Sequence, residues 1–480
     1  MTDSRSAERR VTDPLLVTLA DYVCSDILFS DETFAAARLC LLDALGCAFL
    51  ALNDDACVQR LGPIVPGAEL PGGARVPGTQ YELDPVRACF NTGCLIRWLD
   101  YNDTWLAAEW GHPSDNLAAI LACGDYLDRS GQRALTMHDI LIALVKAYEI
   151  QGVLALENAF NQQGLDHVLL VRIASAAVCA RLLGGNHQQV MNALSNALAD
   201  GGALRVYRHA PNTGWRKSWA AGDAASRGVQ HALMAVKDEM GCPSVLSTTR
   251  WGFESVLMDG GPVRLSQPLA DNVIKNILFK VSFPAEFHAQ TAVECGIALH
   301  KVLPRRLDKI AHIKLFTQAA GKRIIDKRGL LDNPADRDHC LQYAVAVALL
   351  KGDLQASDYA DVAAADPRID DLRDKITVFE DPQFSDDYMD PEKRAIANRV
   401  EITLKDGREF IREQAYPLGH PRRREEAMPL LLRKFEDSAI AVLGAESAVR
   451  LKGVMLDSQQ LDVMSVEDFM ALLIPQESVK

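Results

Sequence analysis

The chain has 480 residues, a length that points to two or three domains, and its 48% hydrophobic and 24% charged residues are typical of a globular protein. Its formal net charge of −13 argues against a general nucleic-acid-binding role, because such proteins normally carry a basic excess. An anionic small molecule would have to be attracted by a local basic cluster and not by the charge of the whole protein.

The N-terminal segment is not typical of a targeting sequence or a membrane anchor. Residues 5–10 contain three arginines, but Asp13, Asp21 and Asp26 interrupt the apolar stretch that follows. A signal peptide or a membrane-spanning helix requires a longer uninterrupted apolar run. We therefore expect a cytoplasmic protein with no membrane partner.

Eleven cysteines are scattered between Cys24 and Cys340, and no two of them form a C-x-x-C pair. An odd and dispersed set of this kind is typical of reduced thiols in a cytosolic protein. It predicts neither an iron–sulfur cluster nor a structural zinc site. We therefore predict no metal and no other cofactor.

From about residue 13 to residue 240 the sequence indicates a succession of helices. Ser30 is placed to cap a helix in which apolar residues recur at helical spacing as far as Phe49. Another helix is predicted over residues 166–183, where a glycine pair follows. Many of these helices are rich in alanine and serine, so close helix packing is expected. The prediction is a mainly α fold whose first part, residues 1–272, is an all-α helical domain.

The pattern changes near residue 273. Residues 309–316 alternate apolar and polar side chains, as do residues 400–405, and Asp406-Gly407 then predicts a hairpin turn. With a helical segment between these strands, residues 273–419 are predicted to form a mixed α/β domain. Residues 420–480 return to helical periodicity and could rejoin the first part, which would make the α/β domain an insertion.

Two histidines precede predicted helices in the first part. His112 lies in the stretch Gly-His-Pro-Ser-Asp-Asn, before a helix that Ser114 or Asp115 would cap. A helix N-terminus disfavours imidazolium, so His112 is predicted to be neutral and able to accept a proton at pH 7. His167 begins the predicted helix after Asp166. The alternatives are a loop histidine bonded to backbone and a surface cap.

A basic cluster occupies residues 205–217, with the sequence RVYRHAPNTGWRK. It leads into a predicted helix over residues 218–233, whose free N–H groups would form a carboxylate site together with Lys217. A solvated basic loop is the alternative, but the nearby tryptophans and small residues fit it poorly. A further polar segment, from Lys280 to His288, lies at the junction of the two predicted domains, where small-molecule clefts commonly form.

The candidate histidines, lysines and arginines are the residue types needed to bind a polyanion and to transfer protons next to its carboxylates. Abstracting a proton α to a carboxylate builds negative charge that cations and helix N-termini stabilise, and loss of a neighbouring hydroxyl requires an acid. Gly72-Gly73 matches no phosphate-binding loop and predicts a turn. The sequence therefore favours a small anionic substrate over a nucleotide.

Four long stretches identify a family: residues 102–116, 208–223, 283–288 and 333–340. In these stretches the sequence resembles the MmgE/PrpD family, and the resemblance extends over essentially the whole chain. It implies a helical domain built from both chain ends, an inserted α/β lid, a cleft between them and a homodimer. It also implies dehydration of the tricarboxylate 2-methylcitrate to 2-methyl-cis-aconitate in the methylcitrate cycle of propionate catabolism, without an iron–sulfur cluster. Citrate or cis-aconitate would be side substrates.

The family includes a cis-aconitate decarboxylase, whose active-site positions correspond here to Asp100, Thr104, His112, His167, Lys217, Lys280 and Tyr343. The resemblance implies that His112 is the proton acceptor or shuttle, that His167 is its partner acid or base, and that Tyr343 is a proton donor. Asp100 would orient a histidine or the leaving hydroxyl, and Thr104 would contact the substrate.

The carboxylates of the substrate would be held by Lys217, Arg208 and Lys280, and His288 matches a family histidine that binds substrate or orients the lid. The sequence departs from the usual family pattern at two places. The family lysine usually lies three residues before a proline, whereas Lys280 lies four residues before its proline, which leaves Lys275 as an alternative. The loop that leads to the first histidine is also longer here than in the decarboxylase.

Two alternative functions remain at this point. One is a decarboxylase or isomerase of related tricarboxylates on the same scaffold. The other is a non-catalytic, metabolite-binding helical protein. A binding protein needs cationic groups but not paired proton carriers, so His112 and His167 favour an enzyme.

Overall fold

A computed structural model describes residues 11–209, 211–303 and 307–476. The arginines at residues 5–10 lie outside these ranges.

Helices account for most of the regular structure of the described residues. In chain order they are α1 (Pro14–Cys24), α2 (Asp31–Ala51), α3 (Asp55–Val58), α4 (Pro85–Arg97), α5 (Leu117–Arg129), α6 (Met137–Glu157), α7 (Val168–Leu182), α8 (His187–Ala199), α9 (Arg216–Ala235), α10 (Phe253–Leu257), α11 (Asn272–Lys275), α12 (Gln290–Val302), α13 (Ala319–Ile325), α14 (Pro334–Arg337), α15 (Leu341–Lys351), α16 (Asp361–Ala364), α17 (Pro367–Arg373), α18 (Pro382–Met389), α19 (Arg424–Leu443), α20 (Ala445–Leu456), α21 (Ser458–Leu461) and α22 (Val466–Ala471). The strands are β1 (Ala74–Arg75), β2 (Glu82–Leu83), β3 (Ile310–Thr317), β4 (Ile376–Glu380), β5 (Asn398–Leu404) and β6 (Glu409–Gln414).

The first and larger hydrophobic core combines helices from both ends of the chain. Its buried residues run from Leu16 to Val281 and again from Ala427 to Leu473. Small residues allow close packing, since a Cβ added to Gly93 of α4 would lie 2.6 Å from the Cα of Gly222 in α9. The segment is not all-α as predicted, because β1 and β2 form a short antiparallel pair.

Helix α2 shows how the predicted pattern builds this core. The Ser30 hydroxyl accepts a hydrogen bond from the backbone N–H of Thr33, which confirms the predicted cap. Among the described helices, α2 alone is long and apolar enough to cross a membrane, but 67% of its most apolar window is buried inside the fold. Asp43 in this helix pairs with Lys434 of α19 at 2.7 Å. These contacts are those of a core helix.

The second hydrophobic core lies between residues 283 and 404 and is built on a mixed sheet. The strand order is β4-β3-β5-β6, with β3 and β4 parallel and the other two pairs antiparallel. Ile313 and Leu315 are buried while Lys314 between them is exposed, as the alternation predicts. The turn at Asp406-Gly407 joins β5 to β6, so the predicted hairpin is confirmed, and Gly407 has a φ of 83°.

A small third cluster joins the two cores. Leu106 and Trp110, from the loop between α4 and α5, pack there with Phe287 and with Ile396. Beside this cluster lies a cavity lined by residues from both parts of the chain.

Candidate active site

Asp100 organises the polar side of the cavity. It follows α4 with a φ of 50°, an uncommon backbone conformation for a residue other than glycine. Its Oδ1 accepts hydrogen bonds from Arg97 Nη1 at 2.7 Å and Lys280 Nζ at 2.6 Å. Its Oδ2 lies 3.6 Å from His339 Nε2. Burial alone would raise the pKa of Asp100, but Arg97 and Lys280 hold it well below its usual value, so the carboxylate is ionised.

His112 presents an unprotonated nitrogen toward this carboxylate. Its Nδ1 lies 2.6 Å from the carbonyl oxygen of Asp103 and 3.3 Å from Thr104 Oγ1. Because a carbonyl only accepts, Nδ1 carries the hydrogen and Nε2 keeps its lone pair, 3.8 Å from Asp100 Oδ1. Burial, followed by the charge of Arg97, lowers the pKa of His112 well below its ordinary value. The geometry therefore supports the predicted neutral proton acceptor.

The predicted cap beside His112 is wrong, although the predicted neutral state is supported for another reason. Residues Pro113–Asn116 form a short 3-10 helix, so neither Ser114 nor Asp115 caps the helix α5 that follows. Ser114 instead donates to Asp103 Oδ1 at 2.6 Å. This hydrogen bond fixes Asp103, whose backbone carbonyl accepts the Nδ1 hydrogen of His112. The sequence pattern placed the helix start correctly to within one turn but could not reveal this side-chain network.

His167 lies at the N-terminal end of α7, next to His112. The two ring centroids are 5.5 Å apart and meet edge to face. His167 is buried, and neither of its ring nitrogens has a hydrogen-bond partner. Burial lowers the pKa of His167 well below its ordinary value, with Arg208 adding to the effect and Asp166 opposing it. A neutral imidazole has one donor and one acceptor nitrogen. Nδ1 of His167 lies 3.3 Å from Asp166 Oδ1, so Nδ1 is placed to carry the hydrogen and Nε2 to accept a proton.

Two arginines of the predicted basic cluster line the cavity. Arg208 forms a bidentate pair with Asp166, and the Nη2 distance to Oδ1 is 3.2 Å. Burial would raise the pKa of Asp166, but Arg208 holds it well below its usual value. The charge of Arg205 is balanced less closely than that of Arg208. Its Nη1 lies 3.9 Å from Glu109 Oε1 and has no hydrogen-bond partner. Arg205 therefore has a spare donor for an anion.

Lys217 and Lys280 are buried behind the cavity and do not line it. Lys217, in the first turn of α9, pairs with Asp338 and lies 3.0 Å from His339 Nδ1. Lys280 donates both to the carboxylate and to the carbonyl oxygen of Asp100. In this structure each lysine therefore meets a carboxylate of the protein. Lys275, the alternative to Lys280, pairs with Asp271 outside the cavity.

Tyr343 also lies away from the cavity. Its hydroxyl donates to the carbonyl oxygen of Asp358 at 2.5 Å, and burial raises its pKa to about 12. His288, by contrast, does line the cavity, with Nδ1 donating to Glu286 at 2.7 Å and Nε2 lying 3.1 Å from the hydroxyl of Tyr388. Since both nitrogens of His288 are engaged, its contacts are those of a residue that fixes the cavity wall.

The structure thus brings together most of the predicted site. The predicted residues that line the cavity are Asp100, Thr104, His112, His167, Arg208 and His288. Five further charged or titratable residues line the cavity without having been predicted as site residues: Arg97, Arg205, His209, Glu286 and His339. Signals for four of them were present, because Arg205 and His209 lie in the basic cluster and Glu286 and His339 lie in the family stretches. Arg97 has no such signal, since it ends an ordinary helix.

A buried cavity with two neutral histidines, arginines and an ionised carboxylate is the arrangement of an enzyme that moves protons on an anionic substrate. Comparison with known proteins gives the family. The MmgE/PrpD N-terminal domain matches residues 17–266 and the MmgE/PrpD C-terminal domain matches residues 283–459. The chain belongs to the MmgE/PrpD family.

Several curated relatives are similar to the chain over nearly their whole length. A 2-methylcitrate dehydratase of Cupriavidus necator is 53% identical, covering 98% of this chain and 99% of the relative. A 2-methylcitrate dehydratase of Escherichia coli (strain K12) is 52% identical, over 96% and 97% respectively. A mitochondrial 2-methylcitrate dehydratase of Yarrowia lipolytica is 52% identical, over 91% and 85%.

Proposed function

We propose that this protein is a 2-methylcitrate dehydratase, a hydro-lyase that removes water from 2-methylcitrate to give 2-methyl-cis-aconitate. The observation that carries the proposal is the pair of neutral, buried histidines, His112 and His167, beside the cavity arginines. The similarity to 2-methylcitrate dehydratases over nearly the full chain supports the substrate. The step belongs to propionate catabolism.

In the proposed reaction, the substrate carboxylates lie against Arg205 and Arg208. His112 accepts the proton α to a carboxylate on Nε2, and the arginines stabilise the charge that develops. The departing hydroxyl then needs a proton to leave as water. His167 can accept a proton on one nitrogen and release one from the other, so it relays the proton from His112 and both histidines end neutral. Asp100 stabilises the transient imidazolium of His112, from which it lies 3.8 Å away.

We propose that Lys217 and Lys280 act on the substrate indirectly, by holding residues of the protein. Lys280 holds Asp100 in place, and Lys217 does the same for Asp338 and His339. Each lysine also adds positive charge near the substrate carboxylates. Thr104 contacts the substrate from beside His112. Tyr343 would have to release the Asp358 carbonyl before it could donate a proton.

We further propose that residues 1–272 and 420–480 form one helical domain and that residues 273–419 form an inserted α/β lid. The division of buried residues between the two large cores supports two such units, with the first core continuing to Val281, beyond the proposed boundary. A homodimer in the cytoplasm is the proposed assembly and location. Sedimentation velocity would test the assembly, since a single species at the monomer mass of 52.6 kDa would contradict it.

The function is tested by mixing purified protein with 2-methylcitrate and following the absorbance of the unsaturated acid, with product identity from mass spectrometry. His112→Ala serves as the inactive reference. Release of carbon dioxide from cis-aconitate, with no dehydration, would replace the proposal by the decarboxylase alternative. Saturable binding of the tricarboxylate without any turnover would replace it by the metabolite-binding alternative.

A further inference from the structure

One wall of the cavity is apolar, although the rest of its lining is dominated by charged and polar groups. Leu106, Trp110, Phe287 and Ile324 all line the cavity. The first three belong to the third hydrophobic cluster, and Ile324 packs against that cluster from α13. The four side chains therefore form a continuous apolar surface, here called the apolar wall. It is assembled from both parts of the chain, because two residues come from the α4–α5 loop and two from the second part.

The hydrogen bonds and ion pairs that hold Asp100 and Arg208 do not depend on this wall. Asp100 is bound by Arg97 and Lys280, and Arg208 is bound by Asp166. None of these polar contacts involves an apolar-wall side chain. An apolar surface beside an ionic site favours a substrate group that gains by leaving water.

Resting on the proposed function, we propose that the apolar wall receives the methyl group of 2-methylcitrate and that Ile324 is a specificity-determining residue against citrate. Citrate has the same three carboxylates and hydroxyl but lacks this methyl group. The arginines and histidines therefore cannot distinguish the two acids by charge, whereas an apolar surface can. One carbon in a hydrophobic pocket is worth roughly 10–200-fold in kcat/KM.

Ile324 is the wall residue best suited to a test. The Leu106 carbonyl oxygen accepts a hydrogen bond from Arg394, and Trp110 lies under the guanidinium of Arg205 at 5.2 Å. Phe287 precedes His288 directly. Changing Trp110 would remove a contact of the cavity residue Arg205, and Leu106 and Phe287 are buried in the third cluster, where a smaller side chain would disturb packing. Ile324 is only partly buried and carries none of these contacts, so its side chain can be altered with the least collateral effect.

The experiment measures the ratio of kcat/KM for 2-methylcitrate to that for citrate, from reactions in which both acids compete. Ile324→Ala should lower this ratio about tenfold, since citrate has no methyl group to lose contact with the wall. Ile324→Val and Ile324→Thr form a matched pair of nearly equal shape. The threonine variant should lower the ratio more than the valine variant, because its hydroxyl replaces a methyl group on the wall.

Ile297→Ala is the control, because Ile297 is also partly buried against the second core but does not line the cavity. It should leave the ratio at the wild-type value. An unchanged ratio in Ile324→Ala and equal ratios in the valine and threonine variants, with circular dichroism showing intact folds, would overturn the inference. Failure of the wild-type protein to convert 2-methylcitrate would instead overturn the proposed function, so the two outcomes are distinct.

Discussion

The ammonium group of Lys217 lies 2.5 and 2.6 Å from the two carboxylate oxygens of Asp338, and both residues are buried. Lys217 belongs to α9 of the first core, whereas Asp338 follows α14 beside the second. Burial lowers the pKa of Lys217, and Asp338 opposes that shift. The pair thus ties the two parts of the chain together behind the cavity, with His339 alongside.

The first prediction distinguishes the structural role of the Lys217–Asp338 ion pair from a role of Lys217 in substrate binding. Lys217→Met and Asp338→Leu should each lower the free energy of unfolding by about 3–5 kcal/mol, because the remaining charge stays buried without a partner. The double variant should recover most of that loss. If Lys217 also contributes to carboxylate binding, kcat/KM stays low in the double variant although its stability returns.

Lys217→Arg extends the same test, since a planar guanidinium does not replace a compact ammonium in this pocket and kcat/KM should fall. Chemical denaturation and steady-state kinetics measure the two quantities. Wild-type stability together with wild-type kcat/KM in Lys217→Met would show that the pair matters for neither.

The second prediction concerns His112 as the proton acceptor. His112→Ala should lower kcat by roughly two to four orders of magnitude while the fold stays intact, which is the usual contribution of a general acid–base group. His138→Ala is a matched control, because the side chain of His138 is 43% exposed and outside the cavity. Equal kcat values in the two variants would reduce His112 to a structural residue.

The third prediction is a pH profile. A histidine that accepts a proton must be neutral, and burial lowers the pKa of both His112 and His167 well below the ordinary value of 6.5. Since a lowered pKa means that protonation occurs only at more acidic pH, the acid limb of kcat/KM should lie below pH 6.5. A profile of kcat/KM against pH measures this, and an acid limb above pH 6.5 would contradict the assignment.

The fourth prediction is that activity does not depend on a metal. Among the described residues, no group of three or more His, Cys, Asp or Glu side chains is arranged to hold a metal ion. Dialysis against excess EDTA should leave kcat unchanged. The opposite result, a loss of turnover that iron and sulfide restore, would mean that the reaction uses a cluster after all.

The sequence predicted the elements of this fold better than it predicted the contacts of its site. Helix and strand periodicity located α2, β3 and the β5–β6 hairpin, because these patterns follow from which faces are buried. The side-chain partners of Lys217 and Tyr343 could not be predicted from the sequence. Lys217 meets Asp338, which is 121 residues away in the chain, and Tyr343 meets the backbone carbonyl of Asp358, whose position depends on the path of the intervening chain. A family correspondence identifies a position in the chain but not the partner that its side chain meets.

The fifth prediction concerns Arg205, which periodicity and motif did not select as a site residue. It is 7% exposed, and its Nη1 has no hydrogen-bond partner. A buried cation with a spare donor is expected to bind an anion, so Arg205→Met should weaken transition-state binding by roughly 2–5 kcal/mol, seen as a fall in kcat/KM. Arg216→Met is the control, because Arg216 belongs to the same basic cluster but its side chain is 43% exposed. Its guanidinium lies over Trp219 and outside the cavity, so this change should leave kcat/KM close to wild type. Similar kcat/KM values for Arg205→Met and Arg216→Met would mean that Arg205 only balances the charge of Glu109. Arg208 would then be the one arginine of the basic cluster that meets the substrate.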